Sequence, residues 1–343
     1  VWHDVPRPSA TGRRGRVASG HKGRGYIGLL AASALLVLAA SIDATELPIV
    51  GVDSVNLTVS DLERSRAFYT EVLDFAVESE LEVDGPAWRG LRGVPSPVRV
   101  VRLRLGDERI ELSHYPRTRG RPAPADTRSN DAWFQHIAIV VADMDRAAAR
   151  LSAHGVTAIS TAPQRLPDWN PNAAGIRAYY FRDPDGHPLE LIWFPPGKGD
   201  ARWQAPSGRL FRGIDHTAIA VADTDASLAY YRDRLGLRVA GASENHGAEQ
   251  DALNGIAGSR VRITGLRAAR GPGIEFLEYL APGDGRPYPA DARANDLVWW
   301  STRLMAADDL HGDVADPPAD DLGFDRGITV RDPDGHALEI VEP

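Results

Sequence analysis

The chain has 343 residues, a hydrophobic fraction of 43% and a formal net charge of −8 at neutral pH. The length predicts about two domains, and the charge argues against a nucleic-acid partner, which would need basic patches to neutralise phosphate. Cysteine is absent, which excludes disulfides, thiolate zinc sites and thiol nucleophiles together, so any bound metal must be held by His, Asp or Glu.

Residues 1–44 read as a signal peptide or N-terminal anchor rather than as fold. Basic residues recur from Arg7 to Arg24, an uncharged and mostly apolar run follows from Tyr26 to Ile42, and the small residues Ala39, Ala40, Ser41 and Ala44 close it. This is the layout of a secretory signal. The run falls a little short of the ~20 residues of a relaxed membrane span. The reading places the protein outside the cytoplasm, periplasmic or extracellular, with membrane contact only if the segment stays uncleaved.

Internal repetition then sets the organisation. VDSVNLTVSDLERSRAFYTEVLDF at 52–75 returns as IDHTAIAVADTDASLAYYRDRLGL at 214–237. IELSHY at 110–115 returns as IEFLEY at 274–279, and GRPAPADTRSND at 120–131 as GRPYPADARAND at 285–296. The offsets are 162, 164 and 165, which marks a tandem duplication. The first unit runs over 50–196 and the second over 210–343, with the Gly/Pro/polar stretch GKGDARWQAPSGR at 197–209 as linker. Each unit divides again. Strand–helix openings stand at 52, 135, 214 and, in weakened form, 298, and each is followed by strands of which the last bears a Glu. Module four carries an acidic, proline-broken stretch after its first strand, so its helix is expected to be short or absent.

The opening strands alternate with period 2. His136 opposes Ile137 and Ile139, His216 opposes Thr217 and Ile219, and Ser54 opposes Val55 and Leu57. The apolar face is expected to pack on the following helix, which leaves the polar face lining a cavity. Ser60 with Glu63 predicts a capping box, and Asp143 and Asp223 predict N-caps. In the closing strands Glu111, Glu190, Glu275 and Glu339 each lie between apolar neighbours. Such a carboxylate costs several kcal/mol if buried alone, so a cation or a hydrogen-bond network must answer it. RDPDGHPLEL at 182–191 and RDPDGHALEI at 331–340 share a turn sequence, and His187 and His336 are read as surface turn residues.

Paired modules that open D-H-x-x-x-x-V and close D-P-D-G-x-x-x-E-L/I resemble the vicinal oxygen chelate superfamily. That group includes glyoxalase I, extradiol dioxygenases, methylmalonyl-CoA epimerase and the fosfomycin and bleomycin resistance proteins. The resemblance covers 50–343. It implies an α+β fold of four βαβββ modules in two tandem domains, with mixed curved sheets forming clefts. It also implies metal ligands from the first strand (His or Gln) and last strand (Glu) of each module. Position by position these are Ser54 and Glu111, His136 and Glu190, His216 and Glu275, and Ser301 and Glu339.

Sites built within each half would have one His and two Glu. Sites built across the halves would join modules two and three into His136, Glu190, His216 and Glu275. Modules one and four would then form a degenerate pocket of Ser54, Glu111, Ser301 and Glu339, with Trp299 and Arg303 on the same face as Ser301. The survival of both histidines in one set favours the crossed pairing. Two imidazoles and two carboxylates suit a divalent Ni, Co, Fe, Mn or Zn ion. The resemblance implies a lyase, isomerase or epimerase acting by proton transfer beside a polarised carbonyl of a small molecule, with Glu190 or Glu275 as base. A ring-cleaving dioxygenase and a metal-free binding protein of the resistance type are the alternatives. The expected assembly is a monomer or homodimer.

Overall fold

A computed structural model describes residues 47–94, 97–310, 314 and 322–342. The leader-like segment lies outside the described residues, as does most of the acidic stretch of module four. Among the described residues no helix is long and apolar enough to cross a membrane.

Module one comprises β1 (Ile49–Thr58), α1 (Leu62–Ala67), β2 (Ala76–Val83), α2 (Pro86–Arg92), β3 (Val98–Leu105) and β4 (Glu108–His114). Module two comprises β5 (Gln135–Val141), α3 (Met144–Ala153), β6 (Gln164–Arg165), β7 (Arg177–Arg182) and β8 (Pro188–Trp193). The linker forms a short helix, α4 (Ala201–Gln204). Module three follows with β9 (Phe211–Val221), α5 (Thr224–Leu228), β10 (Arg238–His246), α6 (Ala248–Asn254), β11 (Arg260–Arg267) and β12 (Gly273–Ala281). Module four contributes β13 (Trp300–Ala306), β14 (Arg326–Arg331) and β15 (Ala337–Glu342).

Strand pairing crosses the halves. One seven-stranded sheet runs β14-β15-β13-β1-β4-β3-β2, and one eight-stranded sheet runs β10-β11-β12-β9-β5-β8-β7-β6. Modules one and four therefore share a sheet, and modules two and three share the other. In each sheet the two opening strands meet antiparallel at the centre, β1 on β13 and β5 on β9. Each opening strand then runs parallel to its own module's closing strand, as β5 does to β8 and β9 to β12.

The apolar faces pack the other way round. Val55, Leu57, Tyr69 and Leu112 of module one share a core with Ile137, Ile139, Leu189 and Leu191 of module two. Ile219, Tyr231 and Phe276 of module three share one with Leu304, Leu338 and Ile340 of module four. In both halves the first helix runs on into a π-helical segment, Phe68–Val72 and Ala229–Arg234. Each segment buries a tyrosine, Tyr69 or Tyr231, whose hydroxyl donates to Asp183 or Asp332 in the Asp-Pro-Asp-Gly turn of the neighbouring module.

The repeated RPxPADxRxND segments are a clasp between the halves. The Arg121 backbone and guanidinium donate to Asp296, and those of Arg286 donate to Asp131. The preceding glycines permit the approach. A methyl built on Gly120 would fall 1.9 Å from the Asn295 carbonyl oxygen, and one on Gly285 would fall 1.9 Å from that of Asn130.

Two local expectations are corrected. Asp61, not Ser60, caps α1 by accepting from the Arg64 N–H. Ser60 instead donates to Asp185 of module two through its backbone, at 2.9 Å, and its hydroxyl, at 2.5 Å. His187 and His336 are buried, not surface turn residues. Their Nδ1 atoms lie 2.8 Å from Asp183 and Asp332, and their Nε2 atoms reach the carbonyl oxygens of Leu297 and Ala132 across the half boundary. A turn sequence predicts backbone shape and carries no information on what covers it.

Candidate functional site

The centre of the eight-stranded sheet brings two histidines onto one face. In the β5–β9 ladder His136 pairs with Ala218 and Ala138 with His216. The imidazoles are thus diagonal neighbours on one face, within side-chain reach, with ring centroids 5.7 Å apart. Glu190 on β8 lies beside Ala138, and Glu275 on β12 lies beside Ala218. The small side chains at 138 and 218 leave room between the carboxylates and the rings.

Glu190 Oε2 stands 3.0 Å from His136 Nε2 and 3.6 Å from His216 Nε2. All three side chains are buried, and one ligand atom from each lies within 4.8 Å of the others. Among the described residues this is the set of three metal-type ligands so disposed. Glu275 stands at its edge, with Oε1 3.5 Å from His216 Nε2. The Nδ1 of His136 is buried without a hydrogen-bond partner, and the Nε2 atoms of both histidines face carboxylate oxygens. A divalent ion fits this donor set.

The electrostatics ask for a cation. Burial raises the Glu190 pKa, but hydrogen bonds and charge from His136 and His216 outweigh it and hold it at about 2. Burial raises the Glu275 pKa above the ordinary carboxylate value, with the Glu190 charge adding and His216 opposing. Burial opposes charge on His216, but Glu275, Asp215 and Glu190 prevail and raise its pKa well above the ordinary value.

Residues behind the histidines were not found by sequence reasoning. The Nδ1 of His216 lies 3.0 Å from Asp215 Oδ2. Asp215 also accepts from the Trp203 indole of α4 at 2.8 Å and from Arg267 at 2.8 Å. Strict alternation would send Asp215 to the far face. A β-bulge at this residue, where the register jumps from His216 to Ile214, places it beside the ring instead. The signal available was the Asp-His dipeptide itself.

The equivalent place in the seven-stranded sheet is filled. Ser54 pairs with Arg303, and Asn56 with Ser301, so Arg303 stands where the other sheet has Ala138. Its guanidinium donates to Glu111 at 2.5 and 2.8 Å and to Glu339 at 3.1 and 3.3 Å. Arg92 at the end of α2 pairs with Glu339 at 2.6 Å, and Arg102 on β3 with Glu111 at 3.1 Å. In the other sheet Asn254 ends α6 and Gly265 faces Glu275. Ser301 donates to Glu339 at 2.6 Å, while Trp299 is buried in the core beside Trp88. The Ser54 hydroxyl is buried without a hydrogen-bond partner. The open degenerate pocket expected over Trp299 and Arg303 is thus a buried cluster in which arginine supplies the cation. The alternation placed Arg303 on the right face, but a face assignment does not give the reach of its side chain.

A family model described as Glyoxalase/Bleomycin resistance protein/Dioxygenase superfamily matches residues 51–191 and 213–340. A 2-epi-5-epi-valiolone epimerase from Actinomyces sp is 36% identical over 155 residues, covering 43% of this chain and 81% of that protein. The uncharacterised protein YaeR of Escherichia coli is 29% identical over 141 residues, covering 41% of this chain and 93% of that one. Glyoxalase I from Zea mays has the same fold, with a TM-score of 0.55 at 15% identity over 85% of this chain and 92% of that one. A putative dioxygenase from Bacillus subtilis also shares the fold, with a TM-score of 0.53 at 16% identity over 86% of each chain.

Proposed function

Since this chain belongs to the glyoxalase/bleomycin resistance protein/dioxygenase superfamily, we propose that the centre between modules two and three is a metal-dependent proton-transfer site of the isomerase, epimerase or lyase type, acting on a small carbonyl compound. The observation that carries this reading is the buried convergence of His136, Glu190 and His216 with a fourth, differently tuned carboxylate at its rim.

His136, His216 and Glu190 would hold the ion. When bound, it supplies Lewis-acid polarisation of a substrate carbonyl and so acidifies the adjacent C–H bond. Glu275 is the base that takes and returns that proton, because it stands at the rim of the ligand set, with Oε1 3.5 Å from His216 Nε2, and lines the cleft. Asp215 fixes the ring of His216 through Nδ1 and leaves Nε2 facing the centre. The Tyr180 ring, 4.8 Å from that of His136, helps to exclude water on the module-two side.

The test is metal analysis joined to solvent-deuterium exchange. The purified protein is expected to carry about one divalent ion per chain, and His136→Ala, His216→Ala and Glu190→Gln to bind it at least about 100-fold more weakly. Glu275→Gln is expected to keep most of the metal and lose exchange. If only one histidine variant lost metal, the shared centre would be wrong.

Two histidines and one carboxylate are also the donor set of non-haem iron oxygenases, which favours a second reading as a ring-cleaving dioxygenase. Iron retention with oxygen uptake on a catechol would select it. A protein that purified and remained without metal would instead be a binding protein.

A further inference from the structure

We infer that the cleft over this centre is built for an uncharged, hydroxylated carbonyl compound, and that Gln250 grips it away from the metal ligands; the inference rests on the proton-transfer reading of the centre.

The cleft has a volume of about 450 Å³. Four carboxylates line it, Glu190, Asp200, Asp215 and Glu275, against one guanidinium, that of Arg267. Both terminal nitrogens of Arg267 are already engaged by Asp215, at 2.7 Å to its carbonyl oxygen and 2.8 Å to its carboxylate. A divalent ion would leave no surplus of positive charge. A phosphate, a carboxylate tail or a charged thiol conjugate would enter without a cation to meet it.

What the walls offer instead is uncharged polarity. Gln250, on α6, is 4% exposed and lines the cleft, and its Oε1 is buried with no hydrogen-bond partner. A buried acceptor is costly unless a donor meets it, and a ligand hydroxyl supplies one. Asn245, which also lines the cleft, is held in place by Asn170 at 2.6 Å and Ser243 at 3.2 Å. Ile192 and Phe194 supply an apolar surface for the hydrocarbon part of a ligand.

The other sheet shows what closing this space looks like. Counted from the helix-ending glycines Gly93 and Gly255, Gln250 on α6 matches Trp88 on α2. Trp88 is fully buried. One sheet fills the position with an indole, and the other leaves an unpaired amide facing a cavity.

The test compares equilibrium binding of dihydroxyacetone and dihydroxyacetone phosphate to the protein as purified, by NMR titration. The uncharged ketone is expected to bind about tenfold more tightly than its phosphate. Gln250→Leu and Gln250→Met, which keep the bulk and remove the acceptor, should each weaken dihydroxyacetone about tenfold with metal content unchanged. Equal or tighter binding of the phosphate overturns the substrate class, and an indifferent Gln250→Leu overturns the role of Gln250. Deuterium exchange into the ketone, read on the same samples, reports on the reaction separately. Preference without exchange overturns proton transfer and leaves the class standing. Exchange with equal binding does the reverse.

Discussion

Ala138 and Arg303 occupy the same register position in two sheets of one chain, and most of the difference between the two centres follows from them. A methyl at 138 leaves two imidazoles and two carboxylates around a space that a divalent ion fits. A guanidinium at 303 fills the matching space and meets both carboxylates within 3.3 Å. Arg303 is 1% exposed, and Glu111 and Glu339 are fully buried, so none of them can recover solvation if a partner leaves. Arg303→Met should therefore destabilise the fold by about 3–5 kcal/mol, measured by urea unfolding. Adding Glu111→Gln and Glu339→Gln should deepen the loss, because Arg92 and Arg102, each paired with one of these carboxylates, would then be stranded. Metal binding at His136 and His216 should be unaffected by either change.

At the scale of the element, the Asp-Pro-Asp-Gly-His turn joins strands, holds a tyrosine of the partner module and reaches a backbone carbonyl of the other half. Burial would keep His336 neutral, but Asp332 outweighs it and raises its pKa above the ordinary 6.5. Burial likewise opposes charge on Asp332, but the His336 ring holds its pKa below the ordinary 3.8. The raised histidine contributes stability that is complete below about pH 6.5 and is lost as pH rises through its folded pKa. The depressed aspartate contributes stability present above about pH 3.8 and lost as pH falls through its own. The advantage of the native protein over His336→Gln should thus be complete in mildly acidic solution and shrink as pH rises through the raised folded pKa of His336, in urea midpoints taken across the alkaline range. The strands before these turns were legible, because a half-buried ladder writes its faces as alternating residues. That alternation alone puts His136, Glu190, His216 and Glu275 on polar faces. Bulges at Asp53 and Asp215 were not legible, since one skipped residue leaves no periodic trace. Nor were Arg92, Arg102 and Gln250, whose positions depend on contacts between elements remote in sequence.

For the whole molecule, the decisive fact is that sheets join modules across the halves while the apolar cores join them within. The distribution of histidines pointed to the crossed sheets, because only that pairing unites the surviving imidazoles. It gave no hint of the reciprocal clasp between Arg121 and Asp296 and between Arg286 and Asp131, because a repeated segment reports duplication and not what its side chains touch. Each half alone would expose the central edges of two sheets, β1 and β5 or β9 and β13, with no partner for either. Residues 50–196 and 210–343, produced separately, should therefore fail to behave as compact monomers in sedimentation. Mixed, they should recover one metal-binding complex. A monomeric, folded first half would contradict the pairing.

The central contact of β1 with β13 sets a schedule for synthesis. The strand β1 waits for a partner about 250 residues later in the chain, and β5 waits for β9 across the linker. Domain-by-domain folding during translation cannot complete the seven-stranded sheet until β15 has emerged. Until then the nascent first half carries two open, apolar-backed strand edges, and its protection falls to chaperones or to the pace of elongation.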